Sequence, residues 1–268
     1  MIPIRFSLFP GGLTHAVTLS YDDGHVHDRT MVAALDRYGL KGTFHLNSGN
    51  LGNGECLAAE EIGGVFRGHE VAAHTVSHPH LDHLPDEQLA LEVLDDRRAL
   101  ERWVDYPVRG MSYPYGTVTA PVAALLPRLG IEYCRVGTSH GRFHVPGDLF
   151  RWEPTCHHNH DLLPKAEEFL ATRGRESRLK LFSVWGHSFE FHREGNWDLL
   201  DRFGERLARE ASSLWFATNI EIADYLQCLR RVQASVDGRR VRNPSHRPLW
   251  LHWDGAPREI APGAVVAL

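Results

Sequence analysis

Two adjacent carboxylates, Asp22 and Asp23, follow the alternating apolar run Val17, Leu19, Tyr21 and are closed by Gly24. Neighbouring carboxylates at a strand end see different surroundings, so one can bind a metal while the other moves a proton. Asp-Asp-Gly is equally a common turn sequence, and the pair gains meaning only from residues further along the chain. His74-Thr75-Val76-Ser77-His78 sets two imidazoles four residues apart. In a helical turn that spacing puts both on one face, able to share a metal. With Asp23 they would make two histidines and one acid and leave a position open for water. Tyr113-Pro114-Tyr115-Gly116 ends a strand with a proline-fixed turn, which can hold a backbone N–H where an oxyanion forms. Trp185-Gly186-His187 ends another strand and offers a histidine beside a glycine that leaves access. Trp152 ends a weaker strand, where an indole is a natural platform for a sugar or an acyl methyl. Each has a structural explanation as well: tight turn, polar cap, core aromatic.

The composition frames this set. The chain has 268 residues, 43% hydrophobic and 24% charged, the balance of one large globular domain. A net charge of -5 gives no reason to expect nucleic acid or an anionic membrane as partner. No apolar run is long enough to span a bilayer, and the start, Met1-Ile2-Pro3-Ile4-Arg5, lacks the basic region and apolar core of a secretory signal. Cys56, Cys134, Cys156 and Cys228 are scattered, with no Cys-x-x-Cys, which argues against a thiolate zinc site and for a reduced, cytoplasmic protein. The 18 histidines are the one oddity. They gather at 69–83, 140–160 and 187–192, and histidine is the commonest metal ligand and the usual proton carrier near neutral pH.

The elements that must position these residues alternate. Strands are predicted at 16–21, 42–46, 70–73, 108–113, 131–136, 150–153 (weaker), 179–185 and 214–217. Helices are predicted at 26–38, 58–66, 86–104, 120–129, 162–172, 198–210 and 220–232. Strand–helix alternation implies parallel β-α units, and seven or eight of them imply an α/β fold of the distorted (β/α) barrel kind. A doubly wound dinucleotide-binding sheet is unlike it, since no Gly-x-Gly-x-x-Gly follows the first strand. Barrels carry their chemistry at the C-terminal strand ends, where Asp22, Asp23, Asn47, His74, Tyr113–Gly116 and His187 gather. From about Gln233 the pattern changes to two hairpin signals, Asp237-Gly238 and Asp254-Gly255. The expected organisation is a barrel over 1–232 and a small β extension over 233–268.

Taken in order, these motifs resemble those of the polysaccharide deacetylase family, its shared region being the NodB homology domain. The likeness rests on Ser20-Tyr21-Asp22-Asp23-Gly24, His74-x-x-x-His78, Tyr113-Pro114-Tyr115-Gly116 and Trp185-x-His187, and covers about 17–225. It implies a distorted (β/α) barrel that hydrolyses N- or O-acetyl groups, usually on carbohydrate, with a divalent metal, most often zinc (Co, Ni, Mn and Fe also serve). It implies Asp23, His74 and His78 as metal ligands, Asp22 as general base, the Tyr115 backbone N–H as oxyanion donor and His187 as general acid. The third motif usually carries an arginine two residues before the proline, where this chain has Ser112. The fourth usually pairs an aspartate with a tryptophan, where this chain has Arg151-Trp152. These departures suggest that Arg151 reaches Asp22 in place of the missing arginine. Trp152 and Trp185 are then expected to wall the acyl pocket, with His157, His158, Glu190 and Asn196 lining the cleft. The resulting expectation is a deacetylase of an acetylated sugar or oligosaccharide. Hydrolysis of a linear or cyclic non-sugar amide, and a non-catalytic carbohydrate-binding role, are the alternatives.

Overall fold

The computed structural model describes residues 6–174, 178–253 and 256–267. Its core strands are β1 (His15–Asp22), β2 (Gly42–Leu46), β3 (Glu70–Ala73), β4 (Gly110–Ser112), β5 (Tyr133–Arg135), β6 (Cys156–His157), β7 (Lys180–Gly186) and β8 (Trp215–Phe216). They form one sheet in the order β5-β4-β3-β2-β1-β7-β6, with β8 also beside β1, and every pairing is parallel. Helices α1 (Asp28–Arg37), α2 (Ile62–Val65), α3 (Asp86–Leu100), α4 (Ala120–Leu125), α5 (Leu162–Ala171), α6 (Ser188–Glu194), α7 (Trp197–Ala208) and α8 (Asn219–Arg230) make the crossovers and the closing element. The result is the distorted (β/α) barrel that strand–helix alternation calls for.

Every residue of β1 is buried, so both faces of the strand are covered. The period of two sorts the side chains. Val17, Leu19 and Tyr21 pack outward with Phe44, Phe66, Leu35 and Phe182 in the layer under the helices. Thr18, Ser20 and Asp22 point the other way, into an interior that is polar and paired. There Thr18 donates to Asn219 (2.7 Å), Thr43 to Glu70 (2.9 Å), Tyr133 to Glu70 (2.8 Å) and Arg135 Nε to Ser20 (2.9 Å). The first turn of α8 caps this interior: the Asn219 N–H donates to Thr43 Oγ1 and the Ile220 N–H to Glu70 Oε2. Buried polar groups persist only when hydrogen-bonded, and these are bonded chiefly to one another.

The sheet nearly closes. Between β5 and β7 runs the single segment 152–157, whose second half is the edge strand β6. Trp152 exchanges hydrogen bonds with Cys134 and Val136 on the β5 side, while Thr155 donates to Ser183 and β6 lies along Val184 and Trp185 of β7. The strand expected at 150–153 is therefore displaced: Leu149–Arg151 is a 3-10 turn and the paired strand is Cys156–His157. Pro154, which has no N–H to give, separates the two halves. Helix α6 has no counterpart among the predicted elements.

After α8 the chain forms a three-stranded antiparallel sheet, β9 (Gln233–Ala234), β10 (Arg240–Arg242) and β13 (Val265–Ala267), and a hairpin of β11 (Leu249–Trp253) with β12 (Ala256–Ile260). The Asp254-Gly255 turn lies outside the described residues. Val241, Leu249, Leu251 and Ile260 share one apolar cluster with Ala16, Leu181, Trp152 and Tyr225 of the barrel. Among the described residues no helix is long and apolar enough to cross a membrane.

Candidate active site and metal centre

The C-terminal ends of β1, β3, β4, β5 and β7 bring Asp22, Asp23, His74, His78, Ser112, Arg135 and His187 together. His74 Nε2 lies 3.6 Å and His78 Nε2 3.8 Å from Asp23 Oδ1, and donor atoms of the three residues all fall within 4.8 Å of one another. Around a tetrahedral ion bound at about 2.0–2.2 Å, donors lie roughly 3.3–3.6 Å apart, so the spacing fits a shared cation better than hydrogen bonds. The backbone supports the convergence at some cost. Asp23, Thr75, His78 and Tyr115 have φ of 81°, 69°, 57° and 58°, four of the five positive-φ non-glycine residues among those described. Such conformations persist where surrounding structure over-determines them, often at functional sites.

The protonation chemistry of the donors fits a divalent metal. His74 Nδ1 is 2.9 Å from the Ser112 carbonyl oxygen, which fixes its proton there and leaves the Nε2 lone pair toward Asp23. Burial pushes the His74 pKa down to about 3, so the ring is neutral, as a ligand must be. Burial, followed by the Asp22 charge, pushes the Asp23 pKa up against the pull of His187, His78 and Arg135. A cation held between these groups would remove that cost.

Asp22 is buried on the other side of this centre. Burial opposes its charge, but the Arg135 guanidinium, with a hydrogen bond from His45, outweighs burial and holds the carboxyl well below the usual carboxylate range. Arg135 Nη2 donates to Asp22 Oδ2, Ser112 Oγ donates to Oδ1 (3.1 Å), and His45 Nδ1 lies 3.2 Å from Oδ1. Arg135 is itself buried, with its guanidinium carbon 4.8 Å from the centroid of the Trp185 ring. This corrects the expectation for Arg151. That side chain is exposed on the 3-10 turn before Trp152, and the guanidinium facing Asp22 comes from β5. The signal was present in Tyr133-Cys134-Arg135-Val136, because an arginine inside a core strand demands a buried anion.

His187 ends β7 and is the N-cap of α6. Its Nε2 lies 3.7 Å from Asp23 Oδ2, on the cleft side, and its Nδ1 3.4 Å from Glu190 Oε2. Glu190 also accepts the His187 backbone N–H at 3.0 Å, one arm of a capping box, and its Oε2 is 3.0 Å from His157 Nε2. Burial alone would depress the His187 pKa; Glu190, Asp22 and Asp23 outweigh it and raise it. Glu190 and His157 thus stand behind His187. His158 is fully buried, stacked on Phe191 at 4.0 Å, and lines no cleft. A Cβ on Gly186 would sit 2.0 Å from His158 Nδ1, so only glycine fits there. Asn196 is directed to Asn159 (3.3 Å), away from the centre.

Of the two expected tryptophans, Trp185 is half-buried over Arg135 and donates to Ser139 Oγ (3.0 Å). Trp152 is 1% exposed and packs on Tyr133, with ring centroids 5.5 Å apart, in the cluster shared with the C-terminal hairpin. It walls no open pocket, because Pro154 and the bridge to β5 turn it inward. The Tyr115 ring is 59% exposed and stacks on His80 at 3.8 Å. Gly116 lets this turn approach β5, since a Cβ there would meet Gly137 N at 2.5 Å.

The sequence model of the polysaccharide deacetylase family matches residues 12–134. This stretch belongs to the polysaccharide deacetylase family. It carries the Asp22-Asp23, His74/His78 and Tyr113–Gly116 motifs, while Arg135, Trp185 and His187 lie beyond it. No curated protein matches the chain in sequence. Among solved structures, a protein of Mycobacterium smegmatis described as a polysaccharide deacetylase is 18% identical with a TM-score of 0.62, over 83% of this chain and 93% of its own. The Xyl-CE4 domain of a multidomain xylanase from the hindgut metagenome of Trinervitermes trinervoides is 18% identical with a TM-score of 0.54, over 80% of this chain and 92% of its own. The Streptococcus pyogenes deacetylase PplD, solved with acetate, is 19% identical with a TM-score of 0.43. That alignment takes in 45% of this chain and about half, 55%, of PplD. At 18% identity the likeness to the first two is one of fold.

Proposed function

We propose that the chain is a metal-dependent deacetylase that removes an acetyl group from an N- or O-acetylated sugar or oligosaccharide. The observation that carries this reading is the meeting of Asp23, His74 and His78 with a buried, ionised Asp22 on one side and His187 on the other. Asp23, His74 and His78 would hold a divalent ion, zinc being the natural fit to two neutral imidazoles and a carboxylate. Such an ion would supply Lewis acidity, polarising the acyl carbonyl and acidifying water. Asp22, kept anionic by Arg135, takes the proton from the attacking water. The Tyr115 N–H, held by its positive-φ turn, donates to the developing oxyanion. His187 gives a proton from Nε2 to the leaving amine or alkoxide, and acetate departs with the oxygen of water. Glu190, with Oε2 3.4 Å from Nδ1, favours the protonated imidazole by its charge, and Trp185 forms the wall beside the acyl group.

Three variants test this, each measured for bound metal by elemental analysis and for acetate release from acetylated sugars. Asp22→Asn and His187→Ala are expected to keep the metal and lose at least about 100-fold in turnover. His74→Ala is expected to lose both. A fully active His187→Ala would remove that residue from the acid role, and an Asp22→Asn chain with normal acetate release would end the reading as a whole.

A further inference from the structure

Behind His187 a second group of metal-type donors gathers on one oxygen. Glu190 Oε2 lies 3.0 Å from His157 Nε2, 3.4 Å from His187 Nδ1 and 3.5 Å from His158 Nε2. It also accepts the His187 backbone N–H at 3.0 Å. A carboxylate oxygen has two lone pairs, so this one cannot serve every nitrogen that faces it. His187 Nδ1 and His158 Nε2 are accordingly buried without a hydrogen bond, on a His158 side chain that is itself fully buried. Buried polar atoms are normally paired, and here two ring nitrogens beside one carboxylate are not.

The donor atoms of His157, His187 and Glu190 all fall within 4.8 Å of one another, as those of Asp23, His74 and His78 do. Two imidazoles and a carboxylate are zinc-type donors, and roughly 3.3–3.6 Å is the spacing of donors around a tetrahedral ion. A cation here would take the lone pairs of His157 and His187 and leave one on Glu190 for His158. The His157, His187 and Glu190 side chains are 12%, 24% and 14% exposed, so an ion can reach them from solvent. They stand on β6, just after β7 and in the first turn of α6, so the fold and not one flexible loop holds them together.

We propose that His157 Nε2, His187 Nδ1 and Glu190 form a second divalent-cation site, filled by zinc in excess, and that filling it stops His187 from acting as the acid. An ion must displace the short His157 contact to Glu190, a cost that the site at Asp23 does not carry, so the second site is the weaker one. An imidazole that gives its Nδ1 lone pair to a cation releases any proton there to solvent and keeps one, on Nε2. As a neutral ring it is a poorer donor to the leaving group than imidazolium. The cation site stands on geometry alone, while its inhibitory effect rests on the deacetylase reading. Titrated with zinc by calorimetry, the full chain is expected to show a tight event and a second at least about tenfold weaker. Glu190→Gln and His157→Gln are each expected to remove the weak event and keep the tight one, which also reports that the variant is folded. His74→Ala is expected to do the reverse. Acetate release by the native chain is expected to fall at least about tenfold as the weak event saturates. A single event in the native chain, or a weak event that survives both substitutions, overturns the site and leaves the deacetylase reading standing. A weak event that needs both residues, with acetate release indifferent to it, keeps the site and overturns the inhibition. The same weak event with no acetate release at any zinc concentration supports the site and overturns the deacetylase reading.

Discussion

Asp22 is a buried carboxylate that nonetheless has to stay ionised, and the groups that achieve this come from three other strands. Arg135 from β5, Ser112 from β4 and His45 from β2 surround its two oxygens. Removing one partner of a buried ion pair leaves an uncompensated charge, a cost of about 3–5 kcal/mol. Arg135→Gln is therefore expected to lower denaturant stability by that order and to cut turnover severely, while Arg151→Gln, on an exposed turn, changes stability by less than about 0.5 kcal/mol. Urea unfolding and acetate release from the two variants measured side by side decide the matter; an inert Arg135→Gln would show that Asp22 does not depend on Arg135. The motif residues of the first three strand ends were legible because their types are chemically specific at short spacing. Arg135 signalled its need for a buried anion, but not which one, because its partner is 113 positions away. Pairing across a barrel is set by strand order, which local sequence does not encode.

At the scale of elements, alternation of apolar and polar residues located most strands and helices to within a few positions. The failures have local causes. β6 is only two residues long and α6 only seven, too short for any period to register. Glu190, three residues beyond His187 and accepting its N–H, is the one sequence mark of α6. What alternation did not reveal is that the inward face of β1–β3 is polar, with Glu70 at its centre binding Thr43, Tyr133 and the N-terminus of α8. Burial outweighs those hydrogen bonds and pushes the Glu70 pKa from 4.5 up to about 7. The folded chain therefore binds a proton that the unfolded chain releases between those values. The stability from that proton is complete below about 4.5, and it is lost as pH rises through about 7. Asp28, pushed by burial to about 8, and Asp96, to about 7, act in the same direction. Glu70→Gln keeps an acceptor for the barrel's donors and removes one share of the slope. Its loss of stability between pH 5 and pH 8, read by urea unfolding, is expected to be shallower than the native chain's by an amount of the order of 3 kcal/mol. Parallel slopes in the two chains would place the proton uptake elsewhere.

For the whole molecule, the change of sequence pattern near Gln233 marks a change of architecture, from parallel β-α units to antiparallel strands. Pattern alone does not say whether such a tail folds by itself or completes the barrel, since both need apolar residues on one strand face. The packing speaks for completion. Tyr225 of α8 donates its hydroxyl to the Leu8 carbonyl (2.7 Å) and accepts the Trp250 N–H (3.1 Å), tying the start of the chain, the last barrel helix and the hairpin to one oxygen. A Cβ on Gly12 would meet Pro257 of the hairpin at 2.9 Å, so the lead into β1 lies directly against β12. Val241, Leu249, Leu251 and Ile260 are each at most 2% exposed in the shared cluster. Burying one such side chain is worth roughly 1.5–3 kcal/mol, so the four together rival the whole stability of an ordinary domain, about 5–15 kcal/mol. A chain ending at residue 232 is consequently expected to lose cooperative unfolding and native near-ultraviolet circular dichroism, and with them metal retention, although Asp22, Asp23, His74, His78 and His187 are all still present. The substitution Leu251→Ala in the full chain gives the graded version, an expected loss of about 2–5 kcal/mol with bound metal unchanged. A 1–232 chain that unfolds cooperatively at the native midpoint would show the extension to be an independent appendage instead.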